Sequence, residues 1–259
     1  MSKVSDLLNQ DKSTLIGYFP AGYPTIDESV EACLEMIKGG VEILELGIPY
    51  SDPIMDGPVI QKATEVARAN GFRLRDSFEV IRRLREQTEV PILVMSYWNP
   101  ILRIGLKKFA EELKTAGANG LITPDLIPDE ARDWIEISEE LGLDRVFLIA
   151  PSSSDVRIKR NAEASRGFVY TVSTMGITGE RGELDALARN TVDRLREVSN
   201  TPTAVGVGIS TGAQVREVNE YANAAIVGTA FIRAYAEGGL AGLIQKTQEL
   251  AKGLQLQSD

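Results

Sequence analysis

The sequence predicts a (β/α)8 barrel, because eight short apolar or β-branched runs alternate with longer helix-period segments over 259 residues. No long polar linker interrupts this alternation, so we expect a single TIM-barrel domain with parallel strands over residues 1–259. An open doubly wound sheet would have the same alternation. It is disfavoured because the first strand-to-helix turn, PAGYPT, lacks the G-x-G-x-x-G fingerprint of a dinucleotide site.

The predicted elements follow one another in a regular order. The strands are expected at residues 14–19, 41–47, 91–96, 120–123, 145–149, 167–172, 203–206 and 224–227. Helix-period segments include residues 29–40, 76–87, 106–117, 129–142, 155–165, 186–198 and 240–254. Several of them begin at Asp or Ser, which cap helix N-termini, and several end at Gly, which commonly terminates a helix.

The composition excludes several kinds of protein. With a single cysteine, Cys33, and no histidine, the chain has no disulfide framework and no Cys/His zinc site, so no metal site is predicted. The net charge of −9 is spread over interspersed acids and bases, without the basic stripe that nucleic-acid binding needs. The N-terminus has no apolar signal region, and no apolar run approaches the ~18 residues of a membrane helix. A cytoplasmic location without membrane contact is therefore expected.

A carboxylate lies inside an apolar strand, the predicted strand at residues 41–47. Side chains of a strand alternate faces, so Leu44 and Leu46 are expected to pack on the outer helices while Glu45 points into the barrel. Glu45 lies near the C-terminal end of its strand, where barrel enzymes place their catalytic groups. The alternative is a structural carboxylate held by an arginine or by backbone amides. No Lys or Arg lies inside a neighbouring predicted strand, which favours catalysis.

Two more acids follow in the loop above the same end of the barrel. Asp52 and Asp56 precede Pro53 and Gly57. Aspartates are common in such turns, so a turn-forming role is an equal alternative for both.

Two glycine-bearing turns follow the last two predicted strands, with the sequences VGVGIS at residues 205–210 and VGTA at 227–230. Glycine lets the backbone approach a ligand, and a helix start just beyond offers N–H groups to an anion. Many barrels hold a phosphate at these two loops, and Ser210 and Thr229 would add hydroxyl donors. The alternative is a pair of tight strand-to-helix turns. A third glycine-bearing loop, residues 175–183, suits a lid that orders over a substrate.

The absences narrow the chemistry further. Without histidine there is no Ser-His-Asp triad, and every lysine lies in a predicted helix or the N-terminal arm, so no Schiff-base lysine faces the barrel interior. Carboxylate acid–base chemistry on a phosphate-bearing substrate remains. Three tyrosines at strand ends, Tyr18, Tyr97 and Tyr170, either line an apolar slot or belong to the core.

Five motifs together resemble one family, the alpha subunit of tryptophan synthase. They are LELGIPYSDPIMDGPVIQ, PDLIPDEA, GFVYTVSTMGITGERGEL, AVGVGIS and IVGTAF, in one order from about residue 14 to about residue 235. The resemblance implies a (β/α)8 barrel and a carbon–carbon lyase that cleaves indole-3-glycerol phosphate into indole and glyceraldehyde 3-phosphate. It also implies that this subunit uses no cofactor of its own.

The resemblance also assigns site residues. The catalytic pair would be Glu45 and Asp56. On the substrate side it implies Tyr18 in the indole pocket, Tyr170, and the lid residues Thr178 and Gly179. The phosphate-binding positions would be Gly206, Gly208, Gly228 and Thr229.

The chain departs from the family pattern at positions that do not include the two carboxylates. The departures are Tyr50 for Phe, Met55 for Ala, Met175 for Thr, Gly212 for Pro and Thr229 for Ser. Met55 and Met175 are expected to change lid packing and rate.

The resemblance further implies a partner, a pyridoxal-phosphate beta subunit that receives indole within an α2β2 heterotetramer. Pro53 and residues 97–100 resemble segments that face this partner, although Trp98 is equally interpreted as a core aromatic. Two rival interpretations remain. The first is a stand-alone indole-glycerol-phosphate lyase, and the second is a catalytically idle barrel that acts as a binding or allosteric subunit.

Overall fold

A computed structural model describes residues 2–10, 12–172, 181–206 and 208–255. Among these residues, nine strands form one sheet in the order β5-β4-β3-β2-β1-β9-β8-β7-β6. The strands are β1 (Leu15–Pro20), β2 (Ile43–Gly47), β3 (Ile92–Met95), β4 (Gly120–Ile122), β5 (Asp144–Val146), β6 (Leu148–Ile149), β7 (Val169–Val172), β8 (Thr203–Gly206) and β9 (Ala224–Val227). Every ladder between neighbouring strands is parallel.

The two ends of this sheet, β5 and β6, are separated in the chain by a single residue, Phe147. The N–H of Thr123 donates to the Val146 carbonyl, and the N–H of Tyr170 donates to the Phe147 carbonyl. The predicted strand at 145–149 is therefore observed as two short strands, one paired with β4 and the other with β7. Together they close the sheet, which confirms the predicted (β/α)8 barrel.

Helices surround the sheet. They are α1 (Lys3–Leu8), α2 (Ile26–Lys38), α3 (Pro58–Ala69), α4 (Asp76–Arg85), α5 (Trp98–Ile104), α6 (Leu106–Ala116), α7 (Arg132–Leu141), α8 (Asp155–Ala164), α9 (Arg181–Val198), α10 (Gly212–Asn219) and α11 (Thr229–Ala251). Two short 3₁₀ helices lie at Pro128–Glu130 and Lys252–Leu254. Helix α11 changes direction at Gly239, whose φ of 59° is left-handed.

Local sequence explains several helix ends. Thr25 and Ser154 cap α2 and α8 by accepting a hydrogen bond from the backbone N–H three residues later. Gly117 and Gly142 end α6 and α7 in the left-handed conformation that glycine adopts without steric cost. The two glycine stops agree with the sequence prediction, whereas α2 begins at Ile26 after its Thr25 cap, earlier than the predicted start at residue 29.

The core lies between the sheet and its helices, and its largest fully buried side chains include Trp134, Phe19, Phe78, Phe109 and Phe147. Burying such side chains supplies most of the driving force for folding. Within the described ranges, no helix is both long and apolar enough to cross a membrane.

Candidate active site

Glu45 lies in β2, between Tyr18 of β1 and Leu93 of β3 in the sheet register. Its side chain lines the cavity at the C-terminal end of the barrel, as the alternation of strand side chains predicts, and the residue is only 3% exposed. The buried Oε2 atom has no hydrogen-bond partner, and Glu45 takes part in no salt bridge within the described part of the chain. A carboxylate kept for structure would need such partners, so the surroundings favour a chemical role.

The surroundings of Glu45 also change its acidity. Burial raises its pKa from 4.5 to about 8, and the negative charge of Asp56 acts in the same direction. At neutral pH the Glu45 carboxyl is therefore mostly protonated and can donate a proton into the cavity.

Asp56 reaches the same cavity from the loop between β2 and α3. The turn is held by the Asp56 N–H, which donates to the Pro53 carbonyl at 3.0 Å, and by the Gln61 amide, which donates to the Asp56 carbonyl at 2.8 Å. Pro58 then starts α3, at a position where its missing N–H costs nothing. Asp52, the other candidate in this loop, is exposed and does not line the cavity.

The two carboxyl groups have different acidities. Burial raises the pKa of Asp56 to about 6, while a hydrogen bond from the Tyr97 hydroxyl acts to lower it. Asp56 is therefore mostly ionised at neutral pH, when Glu45 is mostly protonated. Two carboxyl groups whose pKa values are separated in this way can act as a proton donor and a fixed negative charge.

The wall around the carboxyl groups is largely apolar. Tyr18 and Tyr170 line it, and burial raises the pKa of both phenols well above the usual value, so both remain neutral. The remaining apolar and proline side chains that line the cavity are Met55, Ile60, Met95, Ile122, Pro124, Leu148, Val172, Ile209 and Ile226. A flat aromatic ring is suited to such a slot.

The predicted glycines lie at the same cavity. Gly206, Gly208, Gly228 and Thr229 all line it. Gly208 has a φ of +70°, which disfavours a side chain at this position. A Cβ atom on Gly206 would lie 2.7 Å from the Tyr170 hydroxyl oxygen, so this glycine is also needed for the tyrosine to fit.

The two helices that follow these turns differ at their N-termini. At α10 the side chain of Gln214 accepts hydrogen bonds from the N–H groups of Ser210 and Thr211, and Glu249 accepts from Gly212. At α11 the cap residue, Gly228, makes no side-chain cap. The first N–H groups of an α-helix have no partner within the helix, so α11 is the helix that offers its N-terminus to an anion.

The structure thus brings together most of the predicted site residues. Glu45, Asp56, Tyr18 and Tyr170 line one cavity with the four phosphate candidates. Thr178 and Gly179 lie outside the described residues, as does Met175. Ser210 is exposed and its hydroxyl oxygen lies 3.2 Å from Gln214 Oε1, so it does not contribute to the cavity.

Sequence reasoning did not connect Tyr97 with Asp56. The Tyr97 hydroxyl accepts a hydrogen bond from the Met55 N–H at 2.9 Å and lowers the pKa of the adjacent Asp56. A tyrosine that ends a strand next to the acid-bearing strand was the available signal. In the described ranges, no group of three or more His, Cys, Asp or Glu side chains could hold a metal ion.

Replacing Glu45 by Gln should make stability less dependent on pH. The pKa of Glu45 is about 8 in the folded state and 4.5 in its ordinary state. At pH values between these two, Glu45 keeps a proton in the folded protein that it releases in the unfolded chain. The free energy of unfolding therefore falls as pH rises through this window. Between pH 5 and pH 8 we expect Glu45→Gln to reduce that fall by about 1–3 kcal/mol, measured by urea denaturation. Glu140→Gln, at an exposed position, serves as the control, and parallel curves for Glu45→Gln and wild type would contradict the burial of a protonated Glu45.

Comparison with known proteins agrees with this geometry. The family model described as "Tryptophan synthase alpha chain" matches residues 4–258. The tryptophan synthase alpha chain of Leifsonia xyli is 53% identical over 257 residues, which cover 98% of both chains. A crystal structure of Mycobacterium tuberculosis tryptophan synthase is 45% identical, with a TM-score of 0.92 over 98% of this chain and 99% of that chain. A Pyrococcus furiosus tryptophan synthase complex is 32% identical, with a TM-score of 0.85 over 95% and 99% of the two chains.

Family model, curated relative and solved structures each span nearly the whole chain, and the cavity is lined by those motif-assigned residues that the structure describes. The chain belongs to the tryptophan synthase alpha chain family.

Proposed function

We propose that this chain cleaves indole-3-glycerol phosphate into indole and glyceraldehyde 3-phosphate by a retro-aldol reaction, with Glu45 and Asp56 as the catalytic residues. The main observation in support is the buried Glu45 carboxyl group, which faces an apolar cavity and has no partner on Oε2 among the described residues. Membership of the tryptophan synthase alpha chain family supports the same reaction.

Glu45 would move both protons of the reaction. In its protonated form it donates a proton to C3 of the indole ring, which converts the ring into an iminium-like electron acceptor. The resulting Glu45 carboxylate then takes the proton of the hydroxyl group next to the bond that breaks. The electrons of the C–C bond return to the ring, the aldehyde forms, and Glu45 is protonated again. A pKa of about 8 suits a group that must begin each cycle with a proton at neutral pH.

Asp56 would accept a hydrogen bond from the indole N–H. Positive charge develops on this nitrogen when C3 is protonated, so a fixed carboxylate beside it stabilises the transition state more than the ground state. The pKa of about 6 keeps Asp56 ionised at neutral pH.

The phosphate group would bind at the other side of the cavity. Gly208, Gly228 and Thr229 line this part of the cavity. Gly228 is the N-cap of α11 and Thr229 is its first residue, so the N-terminus of α11 lies at the cavity. Backbone N–H groups and the positive end of the helix dipole favour a dianion at such a position. Gly206 leaves room for Tyr170 beside the same end.

The two pKa values predict a bell-shaped pH dependence. We expect kcat/KM to fall below about pH 6, as Asp56 gains a proton, and above about pH 8, as Glu45 loses one. The measurement is indole release from indole-3-glycerol phosphate between pH 5 and pH 9. Because the two groups interact, the fitted values belong to the pair. A rate that stays constant from pH 7 to pH 9 would rule out a protonated Glu45 as the first proton donor.

We also propose that the chain delivers indole to a pyridoxal-phosphate beta subunit in an α2β2 heterotetramer. Three large apolar side chains are exposed at the barrel end that carries the site: Ile54 at 70%, Leu102 at 55% and Ile127 at 48%. They follow β2, β3 and β4, which are neighbours in the sheet. Pro53 and Trp98, which belong to the same two loops as Ile54 and Leu102, are partly buried. Apolar surface of this kind is typical of a docking face.

One assay separates this proposal from its rivals. Indole release from indole-3-glycerol phosphate is measured with the purified chain alone and after addition of its cognate beta subunit. Slow release that accelerates with the beta subunit supports the proposed function, whereas full activity alone indicates a stand-alone lyase. Binding of a phosphate analogue without turnover, in either condition, indicates a catalytically idle subunit.

The cellular location and the cofactor requirement follow from the same proposal. The step catalysed here needs no cofactor from this chain, because the indole ring of the substrate itself accepts the electrons. Pyridoxal phosphate would belong to the beta subunit, and we place the enzyme in the cytoplasm, where tryptophan biosynthesis would use it.

A further inference from the structure

We propose that Tyr97 is a positioning residue for Asp56, whose hydroxyl holds the loop between β2 and α3 so that the carboxylate faces the cavity. Tyr97 itself does not line that cavity, so it would act through Asp56 without touching the substrate. The inference rests on the proposed function, in which Asp56 contacts the indole N–H.

A single oxygen atom makes both contacts with the loop. The Tyr97 hydroxyl accepts a hydrogen bond from the Met55 N–H at 2.9 Å. The same hydroxyl acts on the carboxyl group of the next residue, Asp56, and lowers its pKa. One oxygen atom therefore holds the backbone at Met55 and affects the charge of the adjacent carboxylate.

Tyr97 is itself held in place from several directions. Its ring packs against the ring of Tyr50, with centroids 5.3 Å apart. Its carbonyl accepts a hydrogen bond from the Ser96 hydroxyl at 3.0 Å, and the next N–H, of Trp98, lies 3.0 and 3.1 Å from the two oxygens of Asp125. A buried side chain with such support can fix the orientation of a catalytic group.

The other contacts of the loop cannot replace this hydroxyl. Gln61 donates to the carbonyls of Asp56 and Pro53, so it holds the backbone but leaves the carboxylate free to rotate. Within the described residues, Asp56 makes no salt bridge. Of the side chains described, Tyr97 is the one that holds the Met55 N–H next to Asp56 and also lowers the pKa of Asp56.

The hydroxyl also affects the charge of Asp56. A hydrogen bond donated to a carboxylate favours its ionised form, and here it counters the burial that raises the pKa of Asp56. Loss of the hydroxyl should therefore leave Asp56 less firmly oriented and more readily protonated.

The test is Tyr97→Phe, which keeps the ring and removes only the hydroxyl. We expect kcat for indole release to fall roughly ten- to hundredfold, the effect of losing a hydrogen bond to a charged group, with little change in KM. The acidic limb of the kcat/KM profile should move to higher pH. An acidic limb at the wild-type position would overturn the proposal.

Tyr221→Phe is a matched control, because the Tyr221 hydroxyl donates to an aspartate, Asp185, at 2.8 Å but lies away from the cavity. It should leave kcat and the acidic limb unchanged. In an Asp56→Asn background, Tyr97→Phe should have almost no further effect on kcat, since the partner through which it acts is altered. Fully additive losses would count against a role through Asp56.

A second variant covers the case in which Tyr97→Phe does not fold. Site-specific 3-fluorotyrosine at position 97 keeps every contact but makes the hydroxyl a stronger donor, so the acidic limb should move to lower pH. An unmoved limb contradicts the proposal. If the wild-type chain with its beta subunit released no indole at all, the proposed function would be wrong. The effect of Tyr97 could then still be tested by measuring the pKa of Asp56 by carbon-13 NMR in the wild type and in the 3-fluorotyrosine variant.

Discussion

Replacing Glu45 by Gln is expected to reduce the turnover of indole-3-glycerol phosphate by about 10²- to 10⁴-fold, the usual contribution of a general acid–base group. Gln has nearly the same shape as protonated Glu, so the buried site should accept it and KM should change little. The variant cannot donate the proton to C3 or take the one from the hydroxyl, so both proposed transfers are lost. The measurement is kcat for indole release in the presence of the beta subunit.

Glu42→Gln is the matched control for this experiment. Glu42 lies just before β2, at the opposite end of the strand, and forms an ion pair with Lys12 outside the cavity. It should leave kcat unchanged. Near-normal indole release by Glu45→Gln, with a folded protein, would show that another group moves the protons.

Replacing Asp56 by Asn should reduce kcat by roughly 10²-fold or more, a typical cost of removing one electrostatic contact to the transition state. The Asn carbonyl can still accept a hydrogen bond from the indole N–H, but it supplies no negative charge opposite the positive ring. The acidic limb of the pH profile should also disappear, because the group that titrates there is gone. Indole release from pH 5 to pH 9 measures both effects.

Asp52→Asn is the matched control for the Asp56 variant, since Asp52 belongs to the same loop but is exposed outside the cavity. Wild-type kcat and an intact acidic limb are expected for it. If Asp56→Asn kept the acidic limb, a different group would titrate near pH 6 and the proposed role of Asp56 would be wrong.

Much of the fold could be predicted from the sequence because the strands and helices have clear, regular patterns. Seven of the eight predicted strands are observed as single strands, with boundaries that differ by at most two residues. The eighth, at residues 145–149, is divided at Phe147. An apolar run does not reveal which neighbour each residue pairs with, so this division could not be predicted.

Helices α1, α3, α5 and α10 lie outside the helix-period segments identified from the sequence, and α5 is the clearest case. Its start, Trp98-Asn99-Pro100, contains a proline that suggests a turn. Proline is tolerated in the first turn of a helix, because the N–H groups there have no partner within the helix. Local sequence alone did not distinguish a turn from the first turn of a helix at this proline.

Part of the candidate site could also be predicted from a regular local pattern. Alternation along a strand places Glu45 in the cavity without knowledge of the other strands. The neighbours of Asp56 depend on how the barrel closes, and Tyr97 is 41 positions later in the chain, so no short motif links them. The role of Ser210 was overestimated, although Thr211 and Gln214 have the spacing of a capping box, in which the helix itself uses the N–H groups.

The position of β1 in the sheet has a consequence for folding of the chain during its translation. β1 pairs with β2 on one side and with β9 on the other, so it joins the strand that carries Glu45 to the strand that leads to Gly228 and Thr229. These two parts of the cavity are translated near opposite ends of the message. Because the proposed phosphate site includes Gly228 and Thr229, we do not expect a nascent chain on the ribosome to bind substrate before β9 has emerged, nor substrate to assist the earlier steps of folding during synthesis.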